Sequence, residues 1–208
     1  FEVKETLSTF LNVKKEQIFF GSGLDEVIMI ISRAVLEKDD EILTSDMTFG
    51  QYRHHAIIES AQVKTTPIKD GYFDLDAMYE QITDKTKLIW ICNPNNPTGT
   101  YLPHDAIEAF IQKVPDDIIV LIDEAYIEFA VAEDMPNSLE LLSKYNQVVV
   151  LRTLSKAYGL AAQRIGYAIA NESLLDQLDI VRLPFNVTSL SAVAADAAIK
   201  DQAYLKDI

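Results

Sequence analysis

Six short runs rich in β-branched and aliphatic residues punctuate the chain: EILTS (41–45), QVKTTPI (62–68), KLIWIC (87–92), DIIVLID (117–123), QVVVLR (147–152) and GYAIA (166–170). Several are apolar at nearly every position instead of every second one, the pattern of strands covered on both faces. Between most of them the apolar residues follow the spacing of an amphipathic helix, over 25–36, 49–60, 74–82, 103–114 and 138–145. Asp74 precedes its run as a cap and Pro103 stands at a first-turn position. Strands buried on both sides and alternating with helices predict an α/β fold, a three-layer sandwich around a mostly parallel central sheet. The opening FEVKETLSTFL reads as an amphipathic helix. From Glu172 onward the chain is again expected to be helical, in ESLLDQLDIVR and, beyond the break LPFN, in SLSAVAADAAIKDQAYL.

A chain of 208 residues that is 49% hydrophobic can bury one continuous core, so residues 1–208 are expected to form a single domain. The formal net charge of −14 argues against a general nucleic-acid binder, because a phosphate backbone would be repelled by most of the surface. The single cysteine, Cys92, has no internal disulfide partner and fits a reducing, cytoplasmic setting. No apolar run approaches the roughly 18 residues of a membrane span, and the first residues do not have the pattern of a secretory signal. The chain starts without methionine and is expected to be a piece of a longer protein. Two triplets, Asn171-Glu172-Ser173 and Asn186-Val187-Thr188, match a glycosylation pattern that matters only in secreted proteins.

In open α/β sheets the ligand lies beyond the carboxyl ends of the strands, which directs attention to the residues that follow each run. After Phe20 comes GSGLDE (21–26), a glycine turn feeding a helix; its N–H groups suit a phosphate, while a plain turn capped by Ser22 or Asp25 is equally compatible. It is neither the dinucleotide fingerprint, since Glu26 occupies the third glycine position, nor a P-loop, since it lacks the lysine. After KLIWIC comes NPNNPTG (93–99), whose two Asn-Pro steps hold carboxamides in a sharply turned backbone. After DIIVLI comes Asp123, a carboxylate at the end of a buried strand, which implies a cation or donor unless it simply caps a helix. After QVVVLR come Thr153, Ser155 and Lys156, with Arg164 eight residues beyond the lysine. Two hydroxyls and a guanidinium suit a phosphate. They leave Lys156 either as a solvated surface residue or as an amine free for Schiff-base chemistry. No His, Cys or Asp cluster has metal-ligand spacing, and the adjacent His54 and His55 are read as structural or surface residues.

Taken in order, NPNNPTG, DEAY (123–126) and SKAYGLAAQRIG (155–166) resemble the fold type I pyridoxal-phosphate enzymes and, within them, the aminotransferases. GSGLDE, DEAYIEF and RTLSKAYGL…RIGYAIA look most like the histidinol-phosphate branch of that family, and the resemblance spans essentially the whole chain. It implies the large, cofactor-binding domain of a pyridoxal 5'-phosphate enzyme, with residues 172–208 leading toward a C-terminal domain. Lys156 would hold the cofactor as a Schiff base and shuttle a proton. Asp123 would pair with the pyridinium nitrogen, so that the ring acts as an electron sink. Asn96 and Tyr126 would bond the ring 3-oxygen. The backbone of Gly23, Leu24 and Asp25, with Thr153, Ser155 and Arg164, would hold the phosphate. Phe49 would stack on the ring, with Tyr52 as second candidate. The resemblance further implies amino transfer from L-histidinol phosphate to 2-oxoglutarate in histidine biosynthesis, in a cytoplasmic homodimer. In the family a carboxylate-binding arginine lies in the C-terminal domain and a tyrosine reaching the neighbour's phosphate site lies upstream of residue 1. Threonine-phosphate decarboxylation, aromatic amino transfer and, from another class, a non-catalytic cofactor-binding regulatory module remain alternatives.

Overall fold

The computed structural model describes residues 2–207. Seven strands form one sheet: β1 (Ile18–Gly21), β2 (Glu41–Ser45), β3 (Gln62–Thr66), β4 (Thr86–Cys92), β5 (Ile119–Asp123), β6 (Val148–Thr153) and β7 (Gly166–Ile169), in the order β1-β7-β6-β5-β4-β2-β3. All neighbours are parallel except those of β7, which runs antiparallel to both β6 and β1. The mostly parallel α/β sandwich expected from the runs is therefore the observed fold. Val120, Leu121 and Ile122 of β5 and Val148, Val149, Val150 and Leu151 of β6 are fully buried, the burial on both faces that their unbroken apolarity required.

The helices are α1 (Glu2–Leu11), α2 (Leu24–Val35), α3 (Gln51–Ile58), α4 (Leu75–Glu80), α5 (His104–Ile111), α6 (Ser138–Lys144), α7 (Glu172–Val181), α8 (Ser189–Lys200) and α9 (Gln202–Lys206). Asp74 caps α4 by accepting the Ala77 N–H at 3.0 Å. Pro103 is the residue before α5 and not part of its first turn. The alanine-rich terminal stretch is two helices, because Asp201 ends α8 and caps α9 through the Tyr204 N–H. Thr6 of α1 donates to Asp196 of α8, so the end of the described chain packs back on its beginning. Both asparagines of the glycosylation-like triplets have structural partners: Asn171 caps α7, and the Asn186 amide donates to the Phe20 carbonyl and the Glu26 carboxylate.

β1 was not among the six expected runs. It is a four-residue edge strand, too short to announce itself as an apolar run, yet it sets the site. Its register pairs Gly21 with Gly166 of β7. A Cβ at Gly166 would lie 2.8 Å from the Leu24 nitrogen, so the missing side chain lets the β1–α2 turn rest on the start of β7. Because β7 runs against the rest of the sheet, its first residue lies at the same edge as the last residues of the parallel strands. Cys92 pairs with Asp123, Asp123 with Leu151, and Thr153 with Gly166, which lines up one functional edge.

Candidate active site

A cleft with about 530 Å³ of empty space opens above that edge, lined by Leu24, Asp25, Phe49, Cys92, Asn96, Asp123, Ala125, Tyr126, Thr153, Ser155, Lys156 and Arg164. Residues from five separate strand ends meet here, at the carboxyl edge where a ligand of an open α/β sheet belongs. Ten of the twelve expected site residues line this cleft; Gly23 and Tyr52 do not.

At one end stands the N-terminus of α2. Among the described residues no side chain caps it, so the alternative of a turn capped by Ser22 or Asp25 does not hold. Glu26 instead folds back to accept the Ser22 N–H at 2.6 Å, and the Gly23 N–H is donated to the Gly21 carbonyl at 2.8 Å. Gly23 therefore has no free N–H to offer a ligand, a correction to its expected role; the first-turn N–H groups of Leu24 and Asp25 remain. What Gly23 contributes is shape. Its φ is +82°, and a Cβ there would collide with the Arg164 guanidinium. Arg164 lies against this turn, donates to the Ala161 carbonyl at 2.9 Å and stands 3.7 Å from the Asp25 carboxylate.

Beside the helix end, the Ser155 hydroxyl is buried and has no hydrogen-bond partner among the described residues. A buried hydroxyl left unpaired costs free energy and so calls for a ligand. The Thr153 hydroxyl is already engaged, donating to the Ile165 carbonyl at 3.3 Å and accepting the Ser155 N–H at 3.1 Å; it shapes the loop that carries Ser155. Uncapped helix N–H groups, an orphaned hydroxyl and a guanidinium thus belong to residues that line one cleft. That donor set fits a phosphate.

Asp123 forms the floor of the cleft and is 2% exposed. One carboxylate oxygen accepts the Tyr52 hydroxyl at 2.5 Å and the other the Ala125 N–H at 3.0 Å. Burial pushes its pKa up to about 6, against the opposing effect of these two bonds. Cys92 beside it is a buried thiol pushed up to about 12 by desolvation and by the Asp123 charge, so it is inert. Tyr52, the second candidate for a ring-stacking aromatic, cannot play that part. It is fully buried behind Asp123, its ring stacked on Trp90 at 4.5 Å between centroids. Phe49, half-buried, presents the aromatic surface to the cleft and meets the Tyr52 ring edge-on at 5.7 Å.

The asparagine loop divides its labour. Asn93 brackets Leu102 through donor and acceptor bonds of 3.1 and 2.7 Å, and Asn95 ties Met47, Thr48 and Thr98 together. Those two hold the loop, in which the Asn93-Pro94 and Asn96-Pro97 bonds are cis. Asn96 is left facing the cleft, its amide 3.5 Å from the Tyr126 hydroxyl. Lys156 places its ammonium 5.2 Å from the centre of the Tyr126 ring. Lys156 is an exposed residue that lines the open cleft.

One buried ion pair, which the motifs did not signal, braces this arrangement. Glu124, next to Asp123, accepts Arg152 at 2.8 Å and Ser138 at 2.6 Å, and it is almost completely buried. Arg152 adjoins Thr153, so the pair ties the end of β5 to the end of β6. His54 and His55 lie outside the cleft lining. Among the described residues no cluster of three or more His, Cys, Asp or Glu side chains could hold a metal, and no helix is long and apolar enough to cross a membrane.

Comparison with known proteins agrees with this geometry. The family model described as aminotransferase class I and II matches residues 2–207. Histidinol-phosphate aminotransferase of Staphylococcus epidermidis is 56% identical over 207 residues, covering 100% of this chain and 59% of the relative. Histidinol-phosphate aminotransferase 1 of Bacillus cereus is 54% identical, with 100% of this chain and 56% of the relative covered. Among solved structures, histidinol-phosphate aminotransferase from Sinorhizobium meliloti in complex with pyridoxal-5'-phosphate superposes with a TM-score of 0.94 at 31% identity, covering 99% of this chain and 56% of that one. The chain thus spans somewhat more than half the length of these relatives. With the family model matched across nearly all of its length, the chain belongs to the class I and II aminotransferases.

Proposed function

We propose that residues 2–207 are the cofactor-binding large domain of a pyridoxal 5'-phosphate aminotransferase. The whole protein would transfer the amino group of L-histidinol phosphate to 2-oxoglutarate, leaving imidazole acetol phosphate and L-glutamate. The observation that carries this reading is the meeting, in one cleft, of a phosphate-shaped donor set, a buried carboxylate floor and a lysine amine. The substrate assignment leans on the relatives at 52–56% identity, all named for that reaction. The same reading places the protein in the cytoplasm as a homodimer, with substrate-carboxylate recognition supplied by parts beyond this chain.

When bound, the cofactor supplies a carbonyl carbon that takes up an amine and a pyridine ring that accepts electrons. The N–H groups of Leu24 and Asp25, the Ser155 hydroxyl and Arg164 would anchor its phosphate, with Thr153 holding the Ser155 loop. Phe49 would cover one ring face. Asn96 and Tyr126, already within reach of one another, would donate to the ring 3-oxygen. Asp123 would accept the ring N–H, an interaction that favours the ionised form of the carboxyl. The Lys156 amine would hold the carbonyl carbon and, once freed, move a proton at the substrate α-carbon.

Borohydride reduction of the full-length protein loaded with pyridoxal phosphate, followed by peptide mapping, tests the lysine. The adduct is expected on Lys156, and an adduct on another lysine defeats the reading. Donor specificity is settled by assaying L-histidinol phosphate beside aromatic amino acids and threonine phosphate. Preferential amino transfer from an aromatic donor, or carbon dioxide release from threonine phosphate, would move the assignment to that chemistry.

A further inference from the structure

Tyr52 is a fully buried residue with a polar tip, and its volume and stacking would be served equally by phenylalanine. Its ring is clamped from two sides, nearly parallel to Trp90 (11°) and edge-on to Phe49 (79°). Trp90 itself keeps a buried indole N–H with no partner among the described residues, so its place in the core is owed to stacking and not to hydrogen bonding. The clamp fixes the Tyr52 hydroxyl 2.5 Å from Asp123, and the Ala125 N–H holds the other carboxylate oxygen. A phenol held this rigidly has lost its rotamer freedom in the fold, so the bond to Asp123 is pre-organised.

We propose that Tyr52 is the positioning residue of this site: its hydroxyl, held by the Trp90 and Phe49 rings, keeps Asp123 an oriented carboxylate at the floor of the cleft. This rests on the reading that Asp123 meets a protonated ring nitrogen. The groups around Asp123 are Tyr52 from α3, Cys92 from β4, Asp25 from α2, and Glu124 and the Ala125 N–H from its own segment. Burial, Glu124 and Asp25 all favour the neutral acid, whereas Tyr52 and the Ala125 N–H favour the anion, Tyr52 more strongly. With the carboxyl at about 6, ionisation near neutral pH holds by a narrow margin. A neutral carboxylic acid has no charge with which to hold a proton on a pyridine nitrogen, so losing the phenol would weaken the floor without emptying the cleft.

The test uses the full-length protein. In its cofactor-free form, with 13C-labelled aspartate carboxyls, Tyr52→Phe should raise the Asp123 midpoint by about one pH unit, the scale of one hydrogen bond to a carboxylate. 3-Fluorotyrosine at position 52, a stronger donor of nearly the same shape, should lower it. In the loaded enzyme, Tyr52→Phe should depress kcat, with KM for the amino donor little changed, because the floor carboxylate is held less firmly against the ring nitrogen. An unmoved midpoint in both variants, or an unchanged kcat in Tyr52→Phe, overturns the proposal. The borohydride adduct separates the two ideas. If it maps away from Lys156, the cofactor reading fails whatever Asp123 does; if it maps to Lys156 with an unmoved midpoint, the role of Tyr52 fails alone.

Discussion

The buried floor carboxylate makes a prediction about stability that does not involve turnover. Asp123 titrates at 3.8 in an ordinary setting and at about 6 in the folded protein, because burial penalises its charge. Between those values the folded state binds a proton that the unfolded state has released, so Asp123 stabilises the fold most below the lower value. That stabilisation is lost as pH rises through the upper one. The difference corresponds to about 3 kcal/mol over the whole window, of which about half falls between about pH 5 and about pH 8. Asp123→Asn keeps the side chain's shape and an acceptor for Tyr52 but cannot titrate, so the difference between wild type and variant isolates this one group. Urea unfolding of both cofactor-free full-length proteins across that pH range should show wild type losing about half of that stabilisation relative to the variant as pH rises. A difference that stays flat, or that grows in the opposite direction, would refute the claim that burial dominates at Asp123. Loading with pyridoxal phosphate should flatten the difference, since a cationic ring nitrogen beside the carboxylate favours the anion.

Gly23→Ala forces a side chain into a positive-φ position and into the Arg164 guanidinium. The variant should lose about 1–3 kcal/mol in thermal unfolding, the usual size of such backbone strain. By equilibrium titration it should also bind pyridoxal phosphate about tenfold more weakly, equivalent to about 1.4 kcal/mol. Arg152→Met strands the buried Glu124 carboxylate beside Ser138. Urea denaturation should show a loss of about 3–5 kcal/mol, most of it recovered in the Arg152→Met/Glu124→Gln double variant, where the Glu124 charge is removed together with its partner.

The sequence speaks clearly about this fold wherever local composition and strand-end position coincide. All six apolar runs begin or end within about a residue of the observed strand, because a strand buried on both faces has no option but to be apolar throughout. Lys156, Asp123, Arg164 and the loop that carries Asn96 could be singled out because the carboxyl edge of such a sheet is where polar residues have something to contact, whereas Asn96 itself is distinguished from its loop neighbours only by the family resemblance. Arg164 obeys the same rule by a detour: it precedes its strand, and only the reversed direction of β7 brings it to the shared edge. On its other side β7 pairs with β1, a strand of four residues whose significance is its glycine-on-glycine register and not its hydrophobicity.

What local pattern does not carry is the second layer of partners, since those are contacts across the chain. Tyr52 and Asp123 are 71 positions apart, and TFGQY reads equally well as a segment that offers either aromatic to a ligand. Only packing distinguishes them: Phe49 ends at the cleft, while Tyr52, one helical turn further on, is drawn into the core by Trp90. The same holds for Arg152 and Glu124, whose neighbours in sequence are the conspicuous residues while they themselves point inward to each other. Residues that touch a ligand can be anticipated from where their strand ends. Residues that hold those in place obey no such rule, because the energy they contribute is that of a satisfied buried group, and satisfaction is a property of two distant segments at once.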